Sequence, residues 1–260
     1  VFSAQDPRVL YFGSEKVWRT RDGGRAWEAI SPDLSRAEWT APPNVGKYAG
    51  SEAAKSSRRG VVYTIAPSPL DAGRIWAGTD DGNIQVTMDG GLTWANVTPP
   101  QIKPWTRIFN IEAGHFAKGT AYAAANTMRV DDMNPHFLRT HDGGKTWVEI
   151  NTGLAPGAVA NSIREDPRKK GLLFAATETQ VWFSTDDGGR WNSLRLDMPA
   201  ISIRDIQVKD DDSCLCSDLV AGTHGRGFWI LDNITPLRQM AEAFKRDVNR
   251  DAPSFELIER

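Results

Sequence analysis

Two pairs of adjacent carboxylates, Asp80-Asp81 and Asp131-Asp132, are the residues of this sequence best suited to acid and base chemistry. Cleavage of a glycosidic bond needs two carboxyl groups across one bond, about 5 Å apart for retention or roughly 6.5 to 9.5 Å for inversion. One Asp from each pair would make such a couple. Arg129, Glu178, His224 and Arg226 supply guanidinium, carboxylate and imidazole groups that could hold a ligand. The opposing use is structural, because Asp at a loop tip bonds its own backbone and fixes the turn. His224-Gly225-Arg226-Gly227 has the same two readings: ligand contact near the centre of the fold, or a Gly-rich hairpin whose Arg crosses to a neighbouring element. Only Cys214 and Cys216 are present, one residue apart, so neither a disulfide framework nor a four-ligand zinc pattern is expected. With His224 they give three ligands at irregular spacing, and no metal or cofactor is expected.

The elements that must position these residues are legible through a repeat. Thr20-Arg21-Asp22-Gly23-Gly24-Arg25-Ala26-Trp27 recurs as Thr87-Met88-Asp89-Gly90-Gly91-Leu92-Thr93-Trp94 and as Thr140-His141-Asp142-Gly143-Gly144-Lys145-Thr146-Trp147. A further copy runs Ser184-Thr185-Asp186-Asp187-Gly188-Gly189-Arg190-Trp191. In each, the hydroxyl and the Asp carboxylate can bond loop backbone, a Gly permits positive φ, and the Trp offers a large area for packing on an outermost strand. Asp22, Asp89, Asp142 and Asp186 are therefore read as structural, together with Trp27, Trp94, Trp147 and Trp191. Lying on separate units, these carboxylates cannot converge on one substrate.

Around each copy lie short β-rich runs, such as Arg74 to Thr79 followed by Asn83 to Thr87, which read as antiparallel strands. A further apolar segment precedes each pair, as in Val61 to Ala66 and Ala158 to Arg164, giving four strands per unit. The repeat of roughly 46 to 49 residues is that of a propeller blade. The fold expected is all-β, a β-propeller of four-stranded antiparallel blades, with about five blades present and the whole belonging to a ring of seven or more. The first unit lacks most of its innermost strand, and Leu231-Asp232-Asn233 replaces the Asp turn in the fifth. Between Asp22 and Asp89 the polar stretch Ser31 to Gly60 forms a loop-like insertion. Thr235-Pro236 reads as a helix start, followed by Leu237, Met240, Ala241, Phe244 and Val248 at helical spacing. The division expected is blades over 1–235 and a closing helix and segment over 236–260, with a further strand at Ser254 to Ile258.

Charge and composition exclude several classes. Lys and Arg total 31 against 33 Asp and Glu, a net charge of −2, which argues against a phosphate-driven nucleic-acid binder or an anionic-membrane anchor. The longest apolar stretches are far short of the about 20 residues of a membrane-spanning helix. The basic run Arg168-Lys169-Lys170 follows the turn signal Asp166-Pro167 and reads as a solvated loop.

The pattern Ser/Thr-x-Asp-x-Gly-x-x-Trp resembles the Asp-box, or BNR repeat, of sialidases, xyloglucan-cleaving glycosidases and sortilin-type receptors. In particular the chain resembles the large sortilin-like BNR proteins of bacteria labelled glycosyl hydrolases, on Trp76-Ala77-Gly78-Thr79-Asp80-Asp81-Gly82 and on Gly222 to Asp232 followed by Thr235-Pro236-Leu237-Arg238. The connection Asp210 to Ser217 departs from that pattern by its length and its cysteines. The resemblance implies a longer parent chain, an extracytoplasmic (secreted or periplasmic) location, and ligand sites on the rim away from the Asp-boxes. That rim carries Glu15, Lys16, Asp80, Asp81, Arg129, Asp131, Asp132, Glu178, His224 and Arg226, and the insertion would overhang it. A sialidase-like site would need clustered Arg and a Tyr paired with Glu, and only Tyr48 with Glu52 is free for that part. The reading that follows is a noncatalytic propeller binding a protein or peptide partner. The alternatives are a carbohydrate-active glycoside hydrolase and a structural subunit of a larger assembly. Partners expected are a protein or peptide, the remaining blades of a larger chain, or a glycan.

Overall fold

The computed structural model of the chain describes residues 1–38, 40–52, 60–211, 213–214 and 216–248. It is all-β apart from short 3-10 turns and one terminal helix, and its strands form five antiparallel meanders arranged as the blades of a partial propeller. The first comprises β1 (Leu10–Gly13), β2 (Val17–Thr20) and β3 (Glu28–Ala29). Three four-stranded blades follow. They are β4 (Val62–Pro67) to β7 (Ala95–Asn96) through β5 (Ile75–Thr79) and β6 (Ile84–Thr87); β8 (Arg107–Ala113) to β11 (Val148–Glu149) through β9 (Ala121–Asn126) and β10 (Phe137–Thr140); and β12 (Ala160–Glu165) to β15 (Asn192–Ser193) through β13 (Leu173–Thr177) and β14 (Val181–Ser184). The fifth blade comprises β16 (Ile203–Asp211), β17 (Cys216–Thr223) and β18 (Phe228–Leu231), and helix α1 (Thr235–Val248) follows it. The strand expected at Ser254 to Ile258 lies outside the described residues.

Burial explains the composition of each strand. β5, β9 and β13 are covered on both faces by neighbouring blades and read as continuous small or apolar runs rather than alternating ones. The outer strands β3, β7, β11 and β15 are two residues long and exposed. The four Trp expected on these strands sit one residue before them, in the turns. The core consists of slabs between successive blade faces. One joins Tyr11 and Val17 to Ile75, another Trp76 and Ile84 to Ile108 and Ala123, a third Phe137 and Tyr122 to Ile163 and Trp182, and the last Phe174 and Phe183 to Ile206, Leu219 and Leu237. Blades approach closely where side chains are small: a Cβ on Gly78 would stand 2.4 Å from Cγ2 of Ile108 on the next blade.

The repeat also locks the blades together. The Trp94 indole donates to the Ile30 carbonyl (2.8 Å), Trp147 to that of Val97 (2.9 Å), and Trp191 to that of Ile150, each acceptor closing the preceding blade. Trp27 has no preceding blade, is 40% exposed and donates to Gly24 of its own turn. Its neighbours Phe12 and Trp18 leave an open face on the first blade. On the fifth blade Phe228 and Ile230, 80% and 60% exposed, form a second open face.

The terminal helix is pinned rather than loose. The Arg238 Nε donates to both oxygens of buried Asp166 (3.1 and 2.9 Å), which also accepts the N–H groups of Arg168 and Lys169. Lys169 pairs with Glu242 and Arg168 with Asp210, so the basic run expected as a solvated loop is a docking point for α1. Cys214 and Cys216 are joined by a disulfide at the β16–β17 connection, a short-range link that the sequence reading did not anticipate. No helix among the described residues is long and apolar enough to cross a membrane.

The two glycines of one Asp-box provide a matched test. At Gly143 (φ +77°) an added Cβ meets nothing within 4 Å, whereas at Gly144 (φ +88°) it would lie 2.8 Å from the Val97 Cβ of the preceding blade. Gly143→Ala should cost about 1 kcal/mol of backbone strain. Gly144→Ala should cost about 3 kcal/mol, strain plus overpacking. Urea denaturation of both variants checks this, and equal losses would mean that the blade contact contributes nothing.

Candidate functional site

The Asp-box rim has little free chemistry. The hydroxyl of Thr20, Thr87, Thr140 or Ser184 donates to Oδ1 of Asp22, Asp89, Asp142 or Asp186 at 2.6 to 2.9 Å and accepts a Gly N–H four residues on. The same carboxylates accept the N–H of Ala26, Thr93, Thr146 or Arg190. Gly90, Gly143 and Asp187 then donate to the connection between the first two strands of their own blade, which places that connection on the same rim. Hydrogen bonds from the side chain and N–H of Thr93 and Thr146 hold Asp89 and Asp142 at about 2.

A buried polar network also lies towards this side, between the third and fourth blades. The Tyr122 hydroxyl donates to Asp187 (2.6 Å), which also meets Arg139 (3.0 Å) and His141 (2.8 Å). Glu165 accepts the N–H of His115 (2.7 Å), and burial raises its carboxyl pKa. Burial works against a charged His115, but Glu112 at 2.9 Å outweighs it and holds the imidazole above its ordinary value.

The opposite rim is built from the connections between second and third strands and from those between blades. Asp80 accepts the Val61 N–H (2.9 Å) and stands 3.6 Å from Arg129 Nη1, which also donates to the Asp80 carbonyl (3.1 Å). The Asp80 to Arg129 contact therefore spans two blades. Asp81, expected on the open rim, is only 4% exposed. Its carboxylate accepts the Thr79 hydroxyl and the Arg36 N–H, which fixes the insertion to the second blade. Asp131, at φ 63°, accepts from Asn44 of the insertion (3.0 Å). Asp132 caps Asn134 (3.0 Å) and meets His136 Nε2 (2.7 Å). Glu178 takes Asn161 and Arg204, both at 3.1 Å. His224 and Arg226 sit on an exposed hairpin whose Gly225 and Gly227 have positive φ, and their side chains pair with no described residue. The insertion does overhang this rim, through Asn44 and through Trp105, which donates to Thr40 (2.7 Å). Tyr48 is exposed on it, and Glu52 lies at its described edge.

Between the rims, the inner strands β4, β8, β12 and β16 line a cleft of about 570 Å³ on the channel side. Each of these strands carries a register shift, centred on Tyr63, Phe109, Asn161 and Arg204. A bulge bends its strand and re-aims a side chain, and all four of these residues face the cleft. The Tyr63 and Phe109 rings meet edge to face at 5.3 Å, and Arg107 lies 4.9 Å over the Tyr63 ring. Deeper in, Arg164 reaches Glu112 (3.4 Å) and Asp205 (2.9 Å). None of these cleft residues stood out in the sequence reading. The available signal was polar residues, Asn110, Asn161, Arg164 and Asp205, inside segments otherwise patterned as core.

The chain is 30% identical over 234 residues to a xyloglucanase of Acetivibrio thermocellus, an alignment covering 68% of this chain and 28% of that protein. Among solved structures it is similar to a GH74 xyloglucanase from Xanthomonas campestris, with a TM-score of 0.65 and 18% identity over 90% of this chain and 36% of the other. It is also similar to YCF48 bound to D1 peptide, with a TM-score of 0.54 and 16% identity over 87% of this chain and 62% of the other. No protein-family model matches the chain. The chain spans little more than a quarter of the length of the curated xyloglucanase. The structural likenesses show the β-propeller fold.

The Asp-boxes predict a pH dependence. A carboxyl whose folded pKa is depressed stabilises the fold above its unfolded value of about 3.9, and that contribution is lost as pH falls through the folded value. Stability should therefore fall between about pH 4 and pH 2. An Asp89→Asn, Asp142→Asn double variant should show a shallower fall in urea midpoint over that interval. A slope equal to that of the unaltered chain would remove the boxes from the acid response.

Proposed function

We propose that the chain forms part of the glycan-holding wall of a β-propeller glycoside hydrolase acting on a xyloglucan-type polysaccharide. The observation that carries this reading is the channel-side cleft, where four register shifts turn the Tyr63 and Phe109 rings and the Asn161 and Arg204 polar groups onto one surface. Pyranose rings present C–H faces to aromatic planes and hydroxyls to amides and guanidiniums, which is the chemistry this surface offers. The similarity to a xyloglucanase supports the same substrate class. Blades over 1–235 would supply the wall, with 236–260 closing it, and a polymeric glycan substrate favours an extracytoplasmic place of work. Asp80 and Asp131, joined through Arg129 and the insertion, are the carboxylates on the rim to test for bond cleavage.

A second reading, a noncatalytic propeller that binds a protein or peptide, draws on a separate observation. Every candidate carboxylate on the open rim already caps a turn or pairs with a cation. It also accords with a similar propeller having been solved with a peptide bound.

Calorimetric titration with a xyloglucan oligosaccharide and a reducing-end assay separate the two. Binding is expected, and Tyr63→Ala should weaken it about tenfold. Release of reducing ends that disappears in Asp80→Asn or Asp131→Asn would exclude the noncatalytic reading. Absence of glycan binding, by this chain and by a longer chain containing it, would sink the glycan reading.

A further inference from the structure

Arg107 is the one guanidinium at the mouth of the cleft for which the described residues provide no carboxylate. Its Cζ lies 4.9 Å over the Tyr63 ring, and its Nε is buried without a hydrogen-bond partner. Beside it stands Arg129, half-buried, whose pKa is lowered by burial first and by the Arg107 charge second. Asp80 is the carboxylate in contact with this pair. It lies 3.6 Å from Arg129, and one of its oxygens is already taken by the Val61 N–H. Two guanidiniums against one committed carboxylate leave an uncompensated positive charge where water is partly excluded. Repulsion between like charges and an unmade hydrogen bond both oppose this arrangement.

We propose that Arg107 and Arg129 form a carboxylate-binding subsite at the mouth of the cleft, so that the glycan held there carries a uronic acid. This deepens the glycan-holding reading and rests on it. A guanidinium is a planar fork whose paired N–H groups match the two oxygens of a carboxylate, and a ligand carboxylate would give the orphaned Nε an acceptor while offsetting the mutual repulsion. Tyr63 contributes from the other side, since its ring both carries Arg107 and faces the cleft. A uronate combines the two features this corner presents, a pyranose face for an aromatic plane and a carboxylate beside it. An inorganic anion would use only the second.

The test is calorimetric titration of the unaltered chain, Arg107→Gln and Arg107→Lys with trigalacturonic acid, a neutral xyloglucan oligosaccharide, inorganic phosphate and an Asp-rich peptide, with urea midpoints confirming that the variants fold. The expected result is a preference of about tenfold or more for the uronate over the neutral glycan. Arg107→Gln should abolish that preference while neutral binding persists, and Arg107→Lys should restore part of it. Equal binding of acidic and neutral glycans, or a preference that survives Arg107→Gln, overturns the subsite and leaves the glycan wall standing. Phosphate or the peptide binding as tightly as the uronate also overturns it, in favour of a general anion site or a peptide site. Failure of every glycan to bind removes the reading beneath it as well.

Discussion

The hold of each Asp-box on the blade before it is the interaction on which the rest of this molecule depends. The box Trp donates to a backbone carbonyl of the preceding blade, at Ile30, Val97 or Ile150. The second or third residue after the box Asp is a glycine pressed against that same residue: Gly91 on Ile30, Gly144 on Val97 and Gly188 on Ile150. A side chain at any of these glycines would wedge the blades apart. Because the acceptor is backbone, the residue that bears it needs only to be apolar, and so it varies between Ile and Val while the box keeps its form.

This device consumes the chemistry of its rim. An Asp that accepts a hydroxyl and a backbone N–H in a tight turn has few lone pairs to offer a ligand, and the low pKa of Asp89 and Asp142 reports how fully the ionised form is satisfied. The interblade network of Tyr122, Asp187, Arg139 and His141 is occupied in the same way, with donors and acceptors matched between the third and fourth blades. Reactive groups are left to the channel wall and the opposite rim, where loops differ from blade to blade.

The channel wall is where the repeat is put to unequal use. The inner strands are fastened to one another by Thr64 accepting from Ile111, Asn110 accepting from Ile163 and Ser162 donating to Asp205. On that common frame the bulge places Tyr in one blade, Phe in the next, Asn in the third and Arg in the fourth. A ring of equivalent positions thus acquires an aromatic side and a polar side, the division of labour a surface needs to orient an amphipathic ligand.

The sequence by itself determined the blades. The hydroxyl, Asp, Gly and Trp at fixed offsets form a turn whose bonds close within eight residues, so the box, the strands flanking it and the five-fold count were legible from local spacing. The helix start at Thr235-Pro236 was legible for the same reason. Only the tertiary structure decided which rim carboxylates are free. Asp80 and Asp81 are neighbours of one type, yet Asp81 is sealed by Arg36 from 45 residues away while Asp80 faces Arg129 of another blade. It decided that Arg168 and Lys169 dock a helix, and that Tyr63, Phe109, Asn161 and Arg204 share a cleft. The physical reason is common to all three. A local turn is specified by bonds between near neighbours, whereas the environment of a charge or a ring is set by blades far apart in the chain, and a one-residue bulge that re-aims a side chain leaves no mark on the apolar pattern around it.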